Sequence, residues 1–213
     1  MAKCKRDRLT AFNRGNILEA AKALFEENGV AQTTMDDIAK RAEYSKSTIY
    51  VYFKSKDEIY FYIVRESMEL LRDRFRSALD AHEDVETAFY AVCGELAGFQ
   101  REYPLYFDSI QGEIGVGEAD FEQYPVLRDI YVVGEEINEA ISALLRRGVE
   151  ARIFRGDINP VPTIFMLWAS LCGIIKMAQQ KEMYLYSKQG ITREEFLHDS
   201  FVMLLRAIKA GEA

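Results

Sequence analysis

Short polar and cationic side chains recur at close spacing between residues 34 and 56. Lys46, Ser47 and Thr48 are compact or flexible donors that could reach base edges from the start of a helix. The hydroxyls of Thr34, Tyr50 and Tyr52 and the Lys56 ammonium are groups that donate to phosphate oxygens. The chemistry that this segment predicts is recognition of double-stranded DNA.

Two short helices joined by a four-residue turn would position these side chains. Thr34 can cap the first helix, whose apolar residues at positions 35, 38, 39 and 42 follow the helical period. Ser45 can cap the second, with Ile49 and Phe53 facing inward. This arrangement is typical of a helix-turn-helix, in which the second helix enters the major groove.

A third helix start follows at once. Ser55 and Glu58 have the spacing of a capping box, so backbone N–H groups and Lys56 could converge on a phosphate. The alternative interpretation is a solvated helical surface, with Tyr50 and Tyr52 half-buried by packing.

Three segments also carry a family resemblance: TTMDDIA at 33–39, SKSTIY at 45–50 and YFKSKDE at 52–58. They resemble the N-terminal signature of TetR-type transcriptional regulators, over about 50 residues from near Asn13. The resemblance implies DNA contacts at Thr34, Ser45, Lys46, Thr48, Tyr50, Tyr52 and Lys56. The chain departs from the family pattern at Glu43 and Ser47, where glycine is usual or frequent, and at Tyr52, which is often histidine.

Composition and apolar spacing predict an all-α protein of about nine helices. The chain has 213 residues, 49% of them hydrophobic, and only four prolines. We expect a helix-turn-helix DNA-binding domain at 1–55. A long fourth helix starting at Lys56 would join it to a larger helical ligand-binding and dimerisation domain at 56–213.

Charge is distributed unevenly along the chain. The net charge is −7, yet residues 1–60 hold 11 Lys and Arg against 9 Asp and Glu. Because phosphate neutralisation dominates DNA affinity, the basic N-terminal part is the expected DNA-binding part. Lys3, Lys5, Arg6 and Arg8 would form a cationic arm ahead of a first helix starting near Arg14, or a disordered solubilising tail.

The three cysteines, Cys4, Cys93 and Cys172, are too far apart for a zinc site or a redox pair, so we expect free thiols. No metal site, cofactor or catalytic motif is predicted. The first dozen residues lack the apolar core of a secretory signal, which favours a cytoplasmic protein. The apolar run at 163–178 is short for a bilayer span and favours a buried helix over a membrane helix.

Aromatic and soft side chains are concentrated in the middle of the chain. They could line a cavity for a small apolar or aromatic effector, or fill a core. Glu95 would either face such a cavity or lie in solvent. The candidate pocket residues are Phe89, Tyr90, Cys93, Phe99, Tyr103, Tyr106 and Phe107.

The C-terminal helices indicate an association surface. Asn159 and Pro160 begin a helix that is apolar nearly all round, and Thr192 to Glu195 is a capping box that begins the last helix. Two such helices from each subunit would form a four-helix bundle in a homodimer; packing within one subunit is the alternative. The candidate interface residues are Phe165, Trp168, Ala169, Cys172, Phe201, Leu204, Leu205 and Ile208.

These features predict a homodimeric repressor that binds a near-palindromic operator and is released by an effector. Activation or corepression is also compatible with the residues. Two other classes stay open: a helical ligand-binding or protein-binding dimer without operator binding, and a cytoplasmic enzyme using His82 or His198. Binding to operator-like DNA separates the regulator from both.

Overall fold

The computed structural model describes residues 2–112 and 117–211, with side chains from residue 6 onward. Within these residues the chain is all-α, as predicted, apart from one antiparallel bridge between Phe154 and Lys209. The helices are α1 (Ala2–Asn28), α2 (Met35–Arg41), α3 (Lys46–Tyr52), α4 (Lys56–Asp80), α5 (Val85–Glu102), α6 (Pro104–Ser109), α7 (Glu118–Gln123), α8 (Val126–Glu150), α9 (Pro160–Gln180), α10 (Glu182–Tyr184) and α11 (Arg193–Ile208), with a π-helical turn at Leu185–Gln189.

The described residues contain eleven helices, more than the predicted nine, because α6, α7 and α10 are short. Helix α6 begins at Pro104, where the missing N–H of proline costs nothing in a first turn. Helix α10 has three residues and passes directly into the π-helical turn, which ends at Gly190 with φ of 69°. Such short elements leave no apolar periodicity in the sequence.

Helix α1 begins at Ala2, so the prediction of a cationic arm before a helix starting near Arg14 is wrong. Residues 2–13 contain no glycine or proline and include the strong helix formers alanine, leucine, lysine and arginine. Gly15 does not interrupt the helix. Arg6 and Arg8 are therefore exposed side chains of a helix.

The chain divides into two compact units, one formed by Met1–Glu69 and Pro104–Val133 and the other by Leu70–Tyr103 and Gly134–Ala213. The predicted domain boundary after residue 55 does not coincide with this division, because the start of α4 packs with the first three helices. The core of the first unit contains Ile17, Ala21, Leu24 and Phe25 of α1, Ile38 of α2, Ile49 of α3 and Ile59 and Ile63 of α4.

In the second unit, α9 packs against α5 and α11. Helix α9 has 21 residues and a mean hydropathy of 1.6, so its length and composition would suffice to cross a membrane. One third of that window is buried in the fold. Its buried side chains, including Leu171 and Ile175, belong to the core of this unit.

Two of the three cysteines can be placed. Cys93 and Cys172 are buried free thiols, as predicted, while the Cys4 side chain lies outside the described residues. Burial raises the pKa of the Cys172 thiol to about 12 and also raises that of Cys93. Both thiols are therefore protonated at neutral pH, which makes them poor nucleophiles.

Candidate nucleic-acid interface and effector cavity

Helices α2 and α3 form the predicted helix-turn-helix, and each begins at its predicted cap. The Thr34 hydroxyl accepts a hydrogen bond from the Asp37 backbone N–H, and the Asp37 carboxylate accepts one from the Thr34 N–H, which completes a capping box. The Ser45 hydroxyl accepts from the Thr48 N–H at 3.1 Å. These bonds satisfy N–H groups that a helix start leaves without intrahelical partners.

The turn between the two helices contains a residue in the left-handed region. Glu43 has φ of 58°, and the N–H of the following Tyr44 donates to the carbonyl of Ala39 at 3.0 Å. Glycine adopts this conformation without steric cost, whereas a β-carbon is disfavoured there by roughly 1–2 kcal/mol. The departure from the family pattern at this residue therefore places a strained glutamate at the position where glycine is usual.

The face of α3 that points away from the core carries small or flexible side chains. Lys46 and Ser47 are exposed, Tyr50 is 49% exposed and Val51 is 78% exposed. The Lys46 ammonium forms an ion pair with Asp36 at 2.8 Å, which raises the Lys46 pKa through the hydrogen bond to that carboxylate. Both partners are largely solvated, so the pair is easily exchanged for a phosphate.

Three hydroxyls at the start of α3 form a connected group. Ser45 Oγ lies 2.8 Å from Ser47 Oγ and 2.7 Å from Thr48 Oγ1. Each hydroxyl can both donate and accept, so the group can reorient towards a base edge or phosphate without losing the cap. The predicted contact residues Ser45, Ser47 and Thr48 are therefore brought together by the structure.

Two other predicted contact residues already have intramolecular partners. The Thr34 hydroxyl donates to the Asp37 carboxylate at 2.6 Å. The half-buried Tyr52 hydroxyl accepts from the Asn13 amide at 2.7 Å, and the same amide accepts from the Tyr44 hydroxyl at 2.8 Å. One side chain of α1 thus bonds to tyrosines on both sides of the recognition helix.

A cationic side chain holds the end of α3 against α1. The Arg14 guanidinium lies 4.3 Å from the ring centroid of Phe53 and 4.4 Å from that of Tyr62, and it donates to the Tyr52 carbonyl at 2.8 Å. Cation–π contacts of a desolvated arginine contribute about 1–2 kcal/mol. These roles of Asn13 and Arg14 could not be predicted from the local sequence, because Tyr52, which both side chains contact, lies 39 and 38 residues away.

Lys56, predicted to contact phosphate, is also engaged within the protein. Its ammonium donates to the backbone carbonyls of Val30, Ala31 and Thr33. It lies at the start of α4, as predicted.

The second unit contains an apolar cavity with about 20 Å³ of free space, room for little more than a water molecule. Its walls come from four helices and carry no charged group. The lining residues are Phe75 and Leu79 of α4, Phe89, Val92 and Cys93 of α5, Ile141, Leu144 and Leu145 of α8, and Leu167, Trp168 and Leu171 of α9.

Of the predicted pocket residues, Phe89 and Cys93 line this cavity. Tyr90 instead stacks on His198, and Phe99 packs against Tyr103 with the Arg74 guanidinium close to both rings. Tyr106 and Phe107 belong to the first unit. Five of the seven predicted residues therefore lie outside this cavity.

Glu95 does not face the cavity. Its side chain is 43% exposed and lies 3.9 Å from the Arg74 guanidinium. The carboxylate is therefore a solvated surface group on α5.

The predicted interface residues divide between the core and the surface. Phe165 is 63% exposed and Ala169 is exposed, whereas Trp168 lines the cavity and Leu204 is half-buried. Four others are buried inside the second unit, where α9 and α11 are in contact, so they offer no exposed side chain to a partner subunit. These are Cys172, Phe201, Leu205 and Ile208.

Helix α9 nevertheless exposes an apolar stripe, in which Phe165 and Ala169 are the two predicted interface residues. Five of its exposed residues recur every fourth position along the helix, which places them on one face. The α9 stripe consists of Val161, Phe165, Ala169, Gly173 and Met177.

Comparison with known proteins gives consistent matches. A family profile described as "Bacterial regulatory proteins, tetR family" matches residues 17–63. The HTH-type transcriptional repressor KstR2 of Mycobacterium tuberculosis is 37% identical over 150 residues, covering 68% of this chain and 71% of its own length. The HTH-type transcriptional regulator RutR of Escherichia coli is 26% identical over 196 residues, covering 84% of this chain and 81% of its own.

The fold is also shared with a solved structure. The fatty acid degradation regulator FadR of Bacillus halodurans superimposes with a TM-score of 0.70 at 20% identity, over 90% of this chain and 94% of that one. At this identity the likeness shows the fold. With the helix-turn-helix geometry and the repressor relative, it leads to one conclusion: the chain belongs to the TetR family of bacterial regulatory proteins and is a transcriptional regulator.

Proposed function

We propose that the protein is a homodimeric repressor that binds a near-palindromic operator and leaves it when an apolar effector enters the second unit. The observation that carries the proposal is the exposed N-terminal face of α3, where three hydroxyls and Lys46 surround a capped helix start. Residues at this end of a recognition helix reach base edges in the major groove.

Contacts to the operator divide into two kinds. Lys46, Ser47 and Thr48 are proposed to meet base edges or nearby phosphates. Tyr50 is exposed and its hydroxyl has room to donate to a phosphate. Thr34, Ser45 and Tyr52 are proposed as phosphate contacts whose hydroxyls are held in place by Asp37, Thr48 and Asn13.

The α9 stripe is the proposed dimer surface. Exposed Phe165 would bury substantial apolar area, and the small residues Ala169 and Gly173 permit a close helix crossing. A dimer would present two recognition helices to successive major grooves, as a symmetric operator requires.

The cavity suggests an effector that is apolar where it meets the protein. Its walls of leucine, valine and aromatic carbon offer no partner to a buried charge, which would be costly to desolvate. With about 20 Å³ of free space, an effector must displace side chains, so its binding would favour a different arrangement of the four helices. Such a shift releases DNA when the effector prefers that arrangement by a few kcal/mol.

The decisive experiment is selection of bound sequences from random duplex DNA at about physiological salt. We expect a two-fold symmetric motif with half-sites about one helical turn apart or closely overlapped. Val51→Glu, which adds a carboxylate to the exposed face of α3, should abolish enrichment. Val132→Glu adds the same charge to an exposed position of α8 and should not.

Absence of enrichment by a folded dimer would contradict operator binding and favour a ligand-binding dimer. Relatives named as transcriptional regulators argue against an enzyme and for action in the bacterial cytoplasm, where the DNA lies.

A further inference from the structure

The side chain of Lys56 uses its full donor capacity on backbone carbonyls. Its Nζ lies 2.6 Å from the oxygen of Val30, 3.2 Å from that of Ala31 and 2.8 Å from that of Thr33. An ammonium group has three N–H donors and no acceptor. Three carbonyls therefore leave it no donor for a phosphate.

Protein groups also form hydrogen bonds at the start of α4. The Glu58 backbone N–H donates to the Ser55 hydroxyl at 3.1 Å, and the buried Glu58 carboxylate accepts from the Lys54 N–H. A lysine in the first turn is unfavourable with the helix dipole. The three carbonyls explain why a cation is nevertheless stable there.

The carbonyls that bind Lys56 belong to the connection between α1 and α2. Thr33 is buried in this connection, and its hydroxyl lies within hydrogen-bond distance of the carbonyls of Gly29 at 3.0 Å and Leu24 at 3.3 Å. Thr34, the cap of α2, follows directly. The connection is thus bonded to α1 through Thr33 and to α4 through Lys56, one residue before the cap of α2.

We propose that Lys56 is a positioning residue that fixes the 30–33 connection, and with it the start of α2, instead of contacting a DNA phosphate. Its effect on operator affinity rests on the proposed function, because it acts through the orientation of the helix-turn-helix. Its effect on the connection itself does not require DNA.

The first test is hydrogen exchange of the free protein at the amides of α2. Lys56→Met removes the ammonium, and Lys56→Arg keeps the charge on a planar group that cannot meet the same three carbonyls. We expect both variants to speed exchange of the Ile38 and Ala42 amides by about tenfold, the order expected for losing a charge-assisted hydrogen bond. Lys54→Met, which removes an exposed charge two residues away, should leave these rates unchanged.

The second test measures operator affinity against salt concentration. A lost phosphate contact lowers the slope of log Kd against log salt by about one. We expect Lys56→Arg to bind the operator about tenfold more weakly with the slope of the parent protein, because the charge is kept and the positioning is lost.

Full affinity of Lys56→Arg, or a reduced slope in Lys56→Met with unchanged amide exchange, would overturn the proposal and restore the phosphate contact. Failure of the parent protein to bind any duplex would instead overturn the proposed function, and the exchange experiment would still decide the role of Lys56. Circular dichroism of each variant verifies that the helical fold is retained.

Discussion

The ring of Phe154 lies directly against the backbone of Gly148, so that a β-carbon at residue 148 would overlap the ring. Phe154 is fully buried, and its N–H donates to the Gly148 carbonyl at 3.0 Å. This contact reverses the chain after α8. An antiparallel bridge between Phe154 and Lys209 then joins the turn after α8 to the end of α11.

Gly148→Ala should therefore destabilise the protein by about 1–3 kcal/mol, the usual cost of forcing extra volume into a packed core. Gly98→Ala is the matched control, since Gly98 lies within α5 with open space at its β position. It should stabilise by about 0.5–1 kcal/mol through helix propensity. Urea denaturation of both variants measures the difference, and equal stability would contradict the packing described.

Glu43→Gly should stabilise the helix-turn-helix by about 1 kcal/mol, because glycine removes the strain of a β-carbon at φ of 58°. Glu43→Gln removes the charge but keeps the β-carbon, so its stability should match that of the parent protein. The measurement is the midpoint of thermal unfolding. An equal increase of the midpoint in both variants would show that the charge, and not the backbone, determines the effect, and no increase in Glu43→Gly would contradict the strain.

Phe165→Asp should convert the proposed dimer into a monomer at micromolar concentration, because two carboxylates would face each other across the α9 stripe. Met183→Asp places the same charge on α10 at a side chain that is 77% exposed and should leave the dimer intact. Light scattering after size exclusion gives the mass of each. A dimeric Phe165→Asp protein would move the interface away from this face of α9.

Trp168 should report effector entry through its fluorescence, because it is the only tryptophan and it lines the cavity. A short saturated alkane serves as an apolar probe that should change the emission. Val92→Phe fills the cavity and should suppress the change, whereas Val132→Phe, at a 50% exposed position, should not. An unaltered response in Val92→Phe would place the probe elsewhere.

The capping box of α2 gives a predictable pH dependence. Hydrogen bonds from the Thr34 hydroxyl and N–H hold the pKa of the Asp37 carboxyl below its ordinary value of 3.8. A group with a lowered pKa in the folded state contributes stability above its ordinary pKa, and this contribution is lost as the pH falls through the lowered value.

Thr34→Val should move the pKa of Asp37 back towards 3.8, because it removes the hydroxyl bond, which is the larger cause. An NMR titration of the carboxyl resonance is the measurement. Thr10→Val, at an exposed position of α1, serves as the control. An unshifted Asp37 titration in Thr34→Val would contradict the cap geometry.

Local signals allowed the helix starts to be predicted. Thr34, Ser45 and Thr192 cap α2, α3 and α11 as the sequence indicates, since each cap depends on residues within four positions. The left-handed conformation of Glu43 was not predicted, although the family pattern has glycine at that position. The residues that form each cap lie close together in the sequence.

Packing between distant segments could not be predicted in the same way. Phe89 and Cys93, four residues apart, line the cavity, whereas Tyr90 faces His198. Helix α9 is apolar nearly all round, so its sequence does not show that Phe165 is exposed while Cys172 is buried. Which side of such a helix is internal depends on α5 and α11.

The bonds from the Asn13 amide to Tyr44 and Tyr52 have a consequence for how new specificity could arise. Tyr44 and Tyr52 flank residues 46–51 of α3. Both tyrosines form hydrogen bonds to Asn13 of α1, which lies outside that segment. Lys46, Ser47, Tyr50 and Val51 can therefore vary without altering the scaffold that orients them. Substitutions at these exposed positions could change the preferred operator sequence, while the contacts that orient α3 stay the same.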